Sequence, residues 1–109
     1  MAKFLVVRFS SIGDIVLTTP VLRCMKQQLP GITLHYFTKA AYLPLLEANP
    51  NVDFVHLLTD DWRAGIRQLK NEHYDAVIDL HHNLRTWRLW MDLRVPVYRF
   101  PKLNWKKWL

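Results

Sequence analysis

Continuous apolar runs and apolar stripes of helical spacing alternate along this chain. Runs of strand-forming residues predict five strands, at 3–9, 32–38, 52–58, 75–80 and 95–100. Apolar residues that recur every three or four positions predict helices between them, at 14–29, 40–48, 62–72 and 83–93. Pro96 interrupts the last run, which suits an edge strand. This alternation with short connections predicts an α/β, Rossmann-like fold, a parallel sheet with helices on both faces.

The first predicted helix carries an internal proline. Its buried stripe is expected to comprise Ile15, Leu22, Met25 and Leu29. Pro20 allows two interpretations: a helix that begins near Thr19 with the proline in its first turn, or one that begins near Asp14 and kinks. The stripe already includes Ile15, which favours the second interpretation.

Length and composition limit the class of protein. The chain has 109 residues and one cysteine, Cys24, which excludes an internal disulfide and a cysteine-based zinc site. No apolar run approaches the roughly 18–20 residues of a membrane span, and the first residues do not resemble a signal peptide. A helix-like pattern at 102–109 stops without a cap, so we expect residues 1–109 to be one truncated domain.

The net charge of +6 is concentrated at one end. Residues 1–79 carry eight basic and eight acidic side chains, whereas residues 80–109 carry seven basic and one acidic, with four of the five tryptophans. Such a segment suits nucleic acid, an anionic membrane surface or a phosphorylated substrate. The alternative is a helix pair whose partner lies beyond residue 109.

Polar residues follow two strands that the usual winding makes neighbours, at 10–14 and 79–83. Because ligands bind at the carboxyl ends of parallel strands, both connections are expected to line one cleft. In the first, Gly13 is expected to let the backbone turn closely beside the free N–H groups of a helix start. A lone glycine fits neither a dinucleotide fingerprint nor a Walker loop. Asp14 is a candidate general base; a plain helix cap is the alternative.

The second connection offers candidate substrate contacts, namely His81, His82 and Asn83. Strand alternation places Asp79 and His81 on one side and His82 on the other. Asp-x-His supplies too few ligands for a metal site, so we expect no metal here; ordinary hydrogen-bonded loop residues remain the alternative.

Two arginines follow this connection on one predicted helix. Arg85 and Arg88 are three residues apart and share a helix face, and Asp92 lies within reach of Arg88. Guanidinium groups bind phosphate in bidentate fashion, so this face suits a phosphorylated acceptor.

Residues 4–20, with Ser-Ser-Ile-Gly-Asp at 10–14 followed by Thr18-Thr19-Pro20, closely resemble the opening of the ADP-heptose:lipopolysaccharide heptosyltransferases of glycosyltransferase family 9. Weaker resemblance continues through residues 46–50 and 74–81. It covers essentially the whole chain, as the N-terminal third of a longer enzyme.

The resemblance implies the N-terminal acceptor half of a two-domain GT-B enzyme, without the C-terminal donor domain. It implies an inverting, metal-independent transfer of heptose from ADP-heptose, without a cofactor, to a lipid-linked phosphorylated inner-core acceptor of lipopolysaccharide. The expected location is cytoplasmic, peripheral at the inner face of the membrane.

The resemblance also assigns roles to residues of the first connection. Asp14 matches the proposed general base, and Ser10, Ser11 and Gly13 match the loop around the transferred sugar. Arg8 stands where the family has a basic residue.

A rival prediction from another class is a stand-alone α/β binding module that uses residues 80–109 on nucleic acid or another polyanion. Salt-sensitive binding to nucleic acid of arbitrary sequence is the observation that would favour it.

Overall fold

The computed structural model describes residues 2–81 and 93–99. Their elements follow the predicted alternation: β1 (Lys3–Val7), α1 (Ile12–Gln28), β2 (Thr33–Lys39), a 3₁₀ turn (Ala40–Tyr42), α2 (Leu43–Glu47), β3 (Phe54–Leu58), α3 (Trp62–Asn71), β4 (Ala76–Asp79) and β5 (Val97–Arg99). The five strands form one parallel sheet in the order β3-β2-β1-β4-β5. The predicted fold class is confirmed, and β5 lies at the edge as Pro96 suggested.

Alternate residues of the central strands supply two separate cores. Val6 faces α1 and α2, where it joins Leu22 and Leu46. Leu5 faces α3, where it joins Leu69. All five side chains are almost fully buried, which is the pattern of a sheet covered on both faces.

The α1 helix continues through Pro20, which has no N–H to donate to the carbonyl of Val16. The Thr19 hydroxyl donates to that carbonyl instead, at 2.8 Å, so the acceptor is satisfied. The helix begins at Ile12, before Asp14, so the interpretation that it begins near Thr19 is wrong.

One member of the predicted α1 stripe is misplaced. Ile15, Leu22 and Met25 are buried, but Leu29 is 45% exposed. The helix ends at Gln28 and Leu29 is its C-cap, so the helical spacing no longer directs this side chain at the core. Gly31 then takes a positive φ of 84°, which favours glycine.

A salt bridge ties the end of α1 to β2 and β3. Lys26 Nζ lies 2.6 Å from Asp53 Oδ2, which also accepts the Leu34 N–H at 2.8 Å. Burial alone would raise the pKa of Asp53, but the hydrogen bonds from Lys26 and Leu34 leave it below the ordinary value of 3.8.

This lowered pKa predicts a pH-dependent part of stability. The contribution of Asp53 should be complete above pH 3.8 and should disappear as the pH falls through the lower folded-state pKa. Urea unfolding of the native chain and of Asp53→Asn should therefore differ near neutral pH and converge in acid. A difference that grows in acid would contradict this.

Candidate active site

The connections after β1 and β4 meet at the carboxyl edge of the sheet. The two strands are paired, with Val7 opposite Asp79. Leu80 extends the pairing by donating its N–H to the Val7 carbonyl at 3.1 Å. The structure thus brings residues 8–14 and 79–81 of these connections together at one edge of the sheet, and the cleft itself stays a prediction.

Arg8 links three parts of this edge. Its Nη2 lies 2.7 Å from Asp14 Oδ2, and its Nη1 donates to the Leu80 carbonyl at 2.8 Å. The Arg8 and Asp14 side chains are only 14% and 15% exposed. A charge-assisted hydrogen bond in such partial burial is stronger than an exposed pair, so Arg8 fixes the orientation of the carboxylate.

Asp14 is the third residue of α1, after the N-cap Ser11. Its Oδ2 accepts from the Ser11 hydroxyl at 3.2 Å and weakly from the Ser11 N–H at 3.5 Å. Asp14 therefore has the contacts of a capping residue, as the alternative interpretation proposed. The same contacts, with Arg8, hold a carboxylate at the cleft edge beside a helix N-terminus, where negative charge is stabilised.

The loop before Asp14 is open to solvent. Ser10 is half-buried, and Ser11 and Gly13 are exposed. A Cβ built on Gly13 would meet no atom within 4 Å. Gly13 lies inside the first turn of α1, a conformation that any residue can adopt, so the backbone turn here does not require a glycine.

His81 is fixed from two sides. Its backbone N–H donates to Asp79 Oδ1 at 2.9 Å, and its Nδ1 accepts the Phe9 N–H at 3.3 Å. An accepting Nδ1 places the proton of the neutral ring on Nε2. The Phe9 and His81 rings also pack with centroids 5.1 Å apart.

The structure thus brings six of the predicted site residues to one edge: Arg8, Ser10, Ser11, Gly13, Asp14 and His81. The other four, His82, Asn83, Arg85 and Arg88, lie outside the described residues. One contributor has no role in the sequence-based site: Asp79, fully buried, which anchors His81. An acidic residue at the end of a buried apolar strand is the signal that points to it.

Three comparisons show which known proteins the chain is similar to. No family model matches the chain. The chain is 27% identical over 84 residues to lipopolysaccharide heptosyltransferase 1 of Campylobacter coli, which covers 72% of this chain and 25% of the relative. It shares its fold with a family 9 glycosyl transferase of Veillonella parvula, at a TM-score of 0.77 and 23% identity over 94% of this chain and 36% of that one.

A second solved structure is the E. coli ADP-heptose LPS heptosyltransferase II, with a TM-score of 0.81 and 19% identity over 98% of this chain and 33% of that one. The chain thus resembles family 9 glycosyltransferases. Two of the three relatives described above are named heptosyltransferases. The predicted resemblance to this family is confirmed. The chain spans about a quarter of the length of its curated relative.

Within the described residues, no helix combines the length and apolar character that crossing a membrane requires.

Proposed function

We propose that this chain is the acceptor-binding N-terminal part of an inverting heptosyltransferase of lipopolysaccharide biosynthesis. The donor is ADP-heptose, as the name of the E. coli relative suggests, and the acceptor is a lipid-linked, phosphorylated inner-core sugar. The observation that carries the proposal is the Asp14 carboxylate, oriented by Arg8 at the carboxyl edge of the sheet, beside the open space over Gly13.

In this proposal Asp14 accepts the proton of the acceptor hydroxyl. The hydroxyl oxygen forms the new bond to the anomeric carbon of the heptose while the bond from that carbon to ADP breaks. ADP leaves with the electron pair of the broken bond. The Arg8 guanidinium faces the carboxylate and keeps it oriented while the proton moves. No metal ion or cofactor takes part in this step, and the protein acts at the cytoplasmic face of the membrane.

The proposal is tested by measuring heptosyl transfer from ADP-heptose to heptose-deficient lipopolysaccharide. We expect turnover by a complete protein in which residues 1–109 precede a donor-binding domain, and none by the 109-residue chain alone. The product should have the inverted anomeric configuration. Turnover measured at a temperature well below the Tm should persist in EDTA. Transfer by the isolated chain would contradict the domain assignment, and loss of turnover in EDTA would contradict metal independence.

Gly13→Ala should change stability and heptosyl transfer in opposite directions. Because the site of the new methyl group is open and helical, the free energy of unfolding should rise by about 0.5–1 kcal/mol. Heptosyl transfer should fall, since the methyl group enters the space beside Asp14. Gly65→Ala in α3 is the matched control: a Cβ there is equally free of contacts, so it should give the same stabilisation with unchanged transfer. Unchanged transfer in Gly13→Ala would place the sugar elsewhere.

Charge reversal at Arg85 and Arg88 tests the acceptor contact predicted from sequence. Arg85→Glu and Arg88→Glu should raise the KM for the phosphorylated acceptor and leave the KM for ADP-heptose unchanged, because the proposal assigns these charges to binding the acceptor phosphate. Steady-state kinetics with each substrate varied provides the measurement. A change confined to thermal stability would make both arginines structural.

A further inference from the structure

A second polar cluster lies on the α3 face of the sheet, between β2, β3 and the connection to β4. His35 Nδ1 and His56 Nε2 are 2.9 Å apart, and the Tyr74 hydroxyl lies 2.9 Å and 3.1 Å from these two atoms. Glu72 Oε2 lies 3.6 Å from His35 Nδ1. His35 is 2% exposed and Tyr74 5%, so water competes little for these atoms.

The three short contacts cannot all be full hydrogen bonds. A nitrogen of a neutral imidazole either donates or accepts, and a phenol has a single hydrogen. When both rings have the same tautomer, one N–H faces one lone pair, and two hydrogens serve three contacts. When the tautomers differ, the two nitrogens present like groups to each other. When both facing nitrogens carry lone pairs, the Tyr74 hydroxyl supplies the one hydrogen shared between them.

An added proton on either imidazole is disfavoured. Burial lowers the pKa of His35, and the adjacent His56 lowers it further. Burial likewise lowers the pKa of His56. Burial raises the pKa of Tyr74 above its ordinary value, so its phenol keeps its hydrogen. Two imidazole nitrogens next to a carboxylate oxygen are ligand types that zinc prefers.

We propose that His35 Nδ1, His56 Nε2 and Glu72 Oε2 bind one Zn²⁺ ion. The three ligand atoms all lie within 4.8 Å of one another. Tetrahedral zinc with bonds near 2.0–2.1 Å separates its ligand atoms by about 3.3 Å. The histidine nitrogens need to part by about 0.4 Å. The carboxylate needs to approach His35 Nδ1 by about 0.3 Å and His56 Nε2 by up to about 1.5 Å. The fourth position is open to the Tyr74 hydroxyl or to water.

Lys3 and the Nε2 atom of His35 limit the affinity for zinc. Lys3 Nζ lies 3.5 Å from Glu72 Oε2 and donates to the Glu72 carbonyl at 2.7 Å, so its charge competes with the ion. His35 Nε2, which carries the proton when Nδ1 binds metal, has no acceptor among residues 2–81 and 93–99. Loss of the hydrogen bond that orients a metal-binding histidine weakens metal sites about 10–100-fold, so we expect moderate affinity for zinc.

The bound ion would be structural. It would join β2, β3 and the C-cap residue of α3, whereas Asp14 lies in the first turn of α1, after β1. Zinc binding therefore does not conflict with a metal-independent transfer reaction, and its test needs no measurement of activity.

The test measures thermal unfolding and zinc binding of the chelator-treated 109-residue chain. We expect one Zn²⁺ per chain and a Tm rise of at least about 5 °C at hundred-fold excess over Kd. His56→Gln and Glu72→Gln should each weaken binding at least about 10-fold. Lys3→Gln should tighten it. His73→Asn is the matched control, because it removes an adjacent exposed imidazole at a positive φ that asparagine tolerates, and should bind zinc normally.

NMR of the wild-type chain keeps the test independent of variant folding. Zinc should shift the signals of His35, His56 and Glu72. No Tm rise at about 1 mM zinc would overturn the proposal, as would binding that survives in both ligand variants. Shifts confined to residues 79–83 would overturn it as well, by placing the ion at the other edge.

Discussion

Asp14→Asn is expected to lower the kcat of heptosyl transfer by about 10²–10⁴-fold, because general-base assistance is worth roughly 3–5 kcal/mol at the transition state. Asparagine keeps an oxygen that can accept from Arg8 and Ser11, so the fold should survive. The KM for ADP-heptose should change little. Steady-state kinetics of the complete protein checks both values.

The control for this prediction is another capping aspartate. Asp61 is the N-cap of α3 and accepts the Ala64 N–H at 3.1 Å. Asp61→Asn removes the same charge from a helix start, at a cost in stability of at most about 1 kcal/mol, and should leave kcat unchanged. Near-normal turnover in Asp14→Asn would reduce Asp14 to a capping residue, and an equal loss in Asp61→Asn would make stability the cause.

Arg8→Ala is expected to lower the free energy of unfolding by about 2–3 kcal/mol and transfer by at least about 10-fold. The substitution leaves the partly buried Asp14 without its 2.7 Å partner and the Leu80 carbonyl without its 2.8 Å donor. Arg8→Lys should recover only part of both losses, because an ammonium group lacks the two-pronged geometry of guanidinium. Urea unfolding and kinetics give the two readouts.

A double-mutant cycle isolates the Arg8–Asp14 pair. We expect a coupling free energy of about 1–3 kcal/mol between Arg8→Ala and Asp14→Asn. Lys26→Ala provides the comparison, since the Lys26–Asp53 pair is more exposed and should cost at most about 1 kcal/mol without affecting transfer. A coupling near zero for Arg8 and Asp14 would show that the contact does not orient the carboxylate.

The architecture was predictable because each element has a local cause. Apolar runs and stripes predicted the order of strands and helices, and Pro96 predicted an edge strand. Asp60 and Asp61 directly precede the predicted helix 62–72, and either could cap it. The structure selects Asp61. Winding rules then placed the ends of β1 and β4 side by side, as observed.

What could not be predicted depends on contacts between distant segments. The Arg8–Asp14 pair requires the shape of a loop, and periodicity says nothing about loop shape. His35 and His56 meet because the β2–β3 register sets His35 opposite Phe54 and His56 opposite Phe37, making the histidines diagonal neighbours on one face. Neither histidine stands out in the sequence, and a register shift of one residue would turn them to opposite faces.

The order of strands in the sheet also has a kinetic consequence. β1 is the first strand to be synthesised, yet one of its neighbours is β4, and the contacts of Arg8 with Leu80 and of Phe9 with His81 each close a separation of 72 residues. Closing such long loops makes folding slow relative to helix formation. During synthesis the candidate catalytic edge therefore assembles late, after β2 and β3 can already be in place. Substitutions there should slow productive folding less than substitutions between β1 and β2.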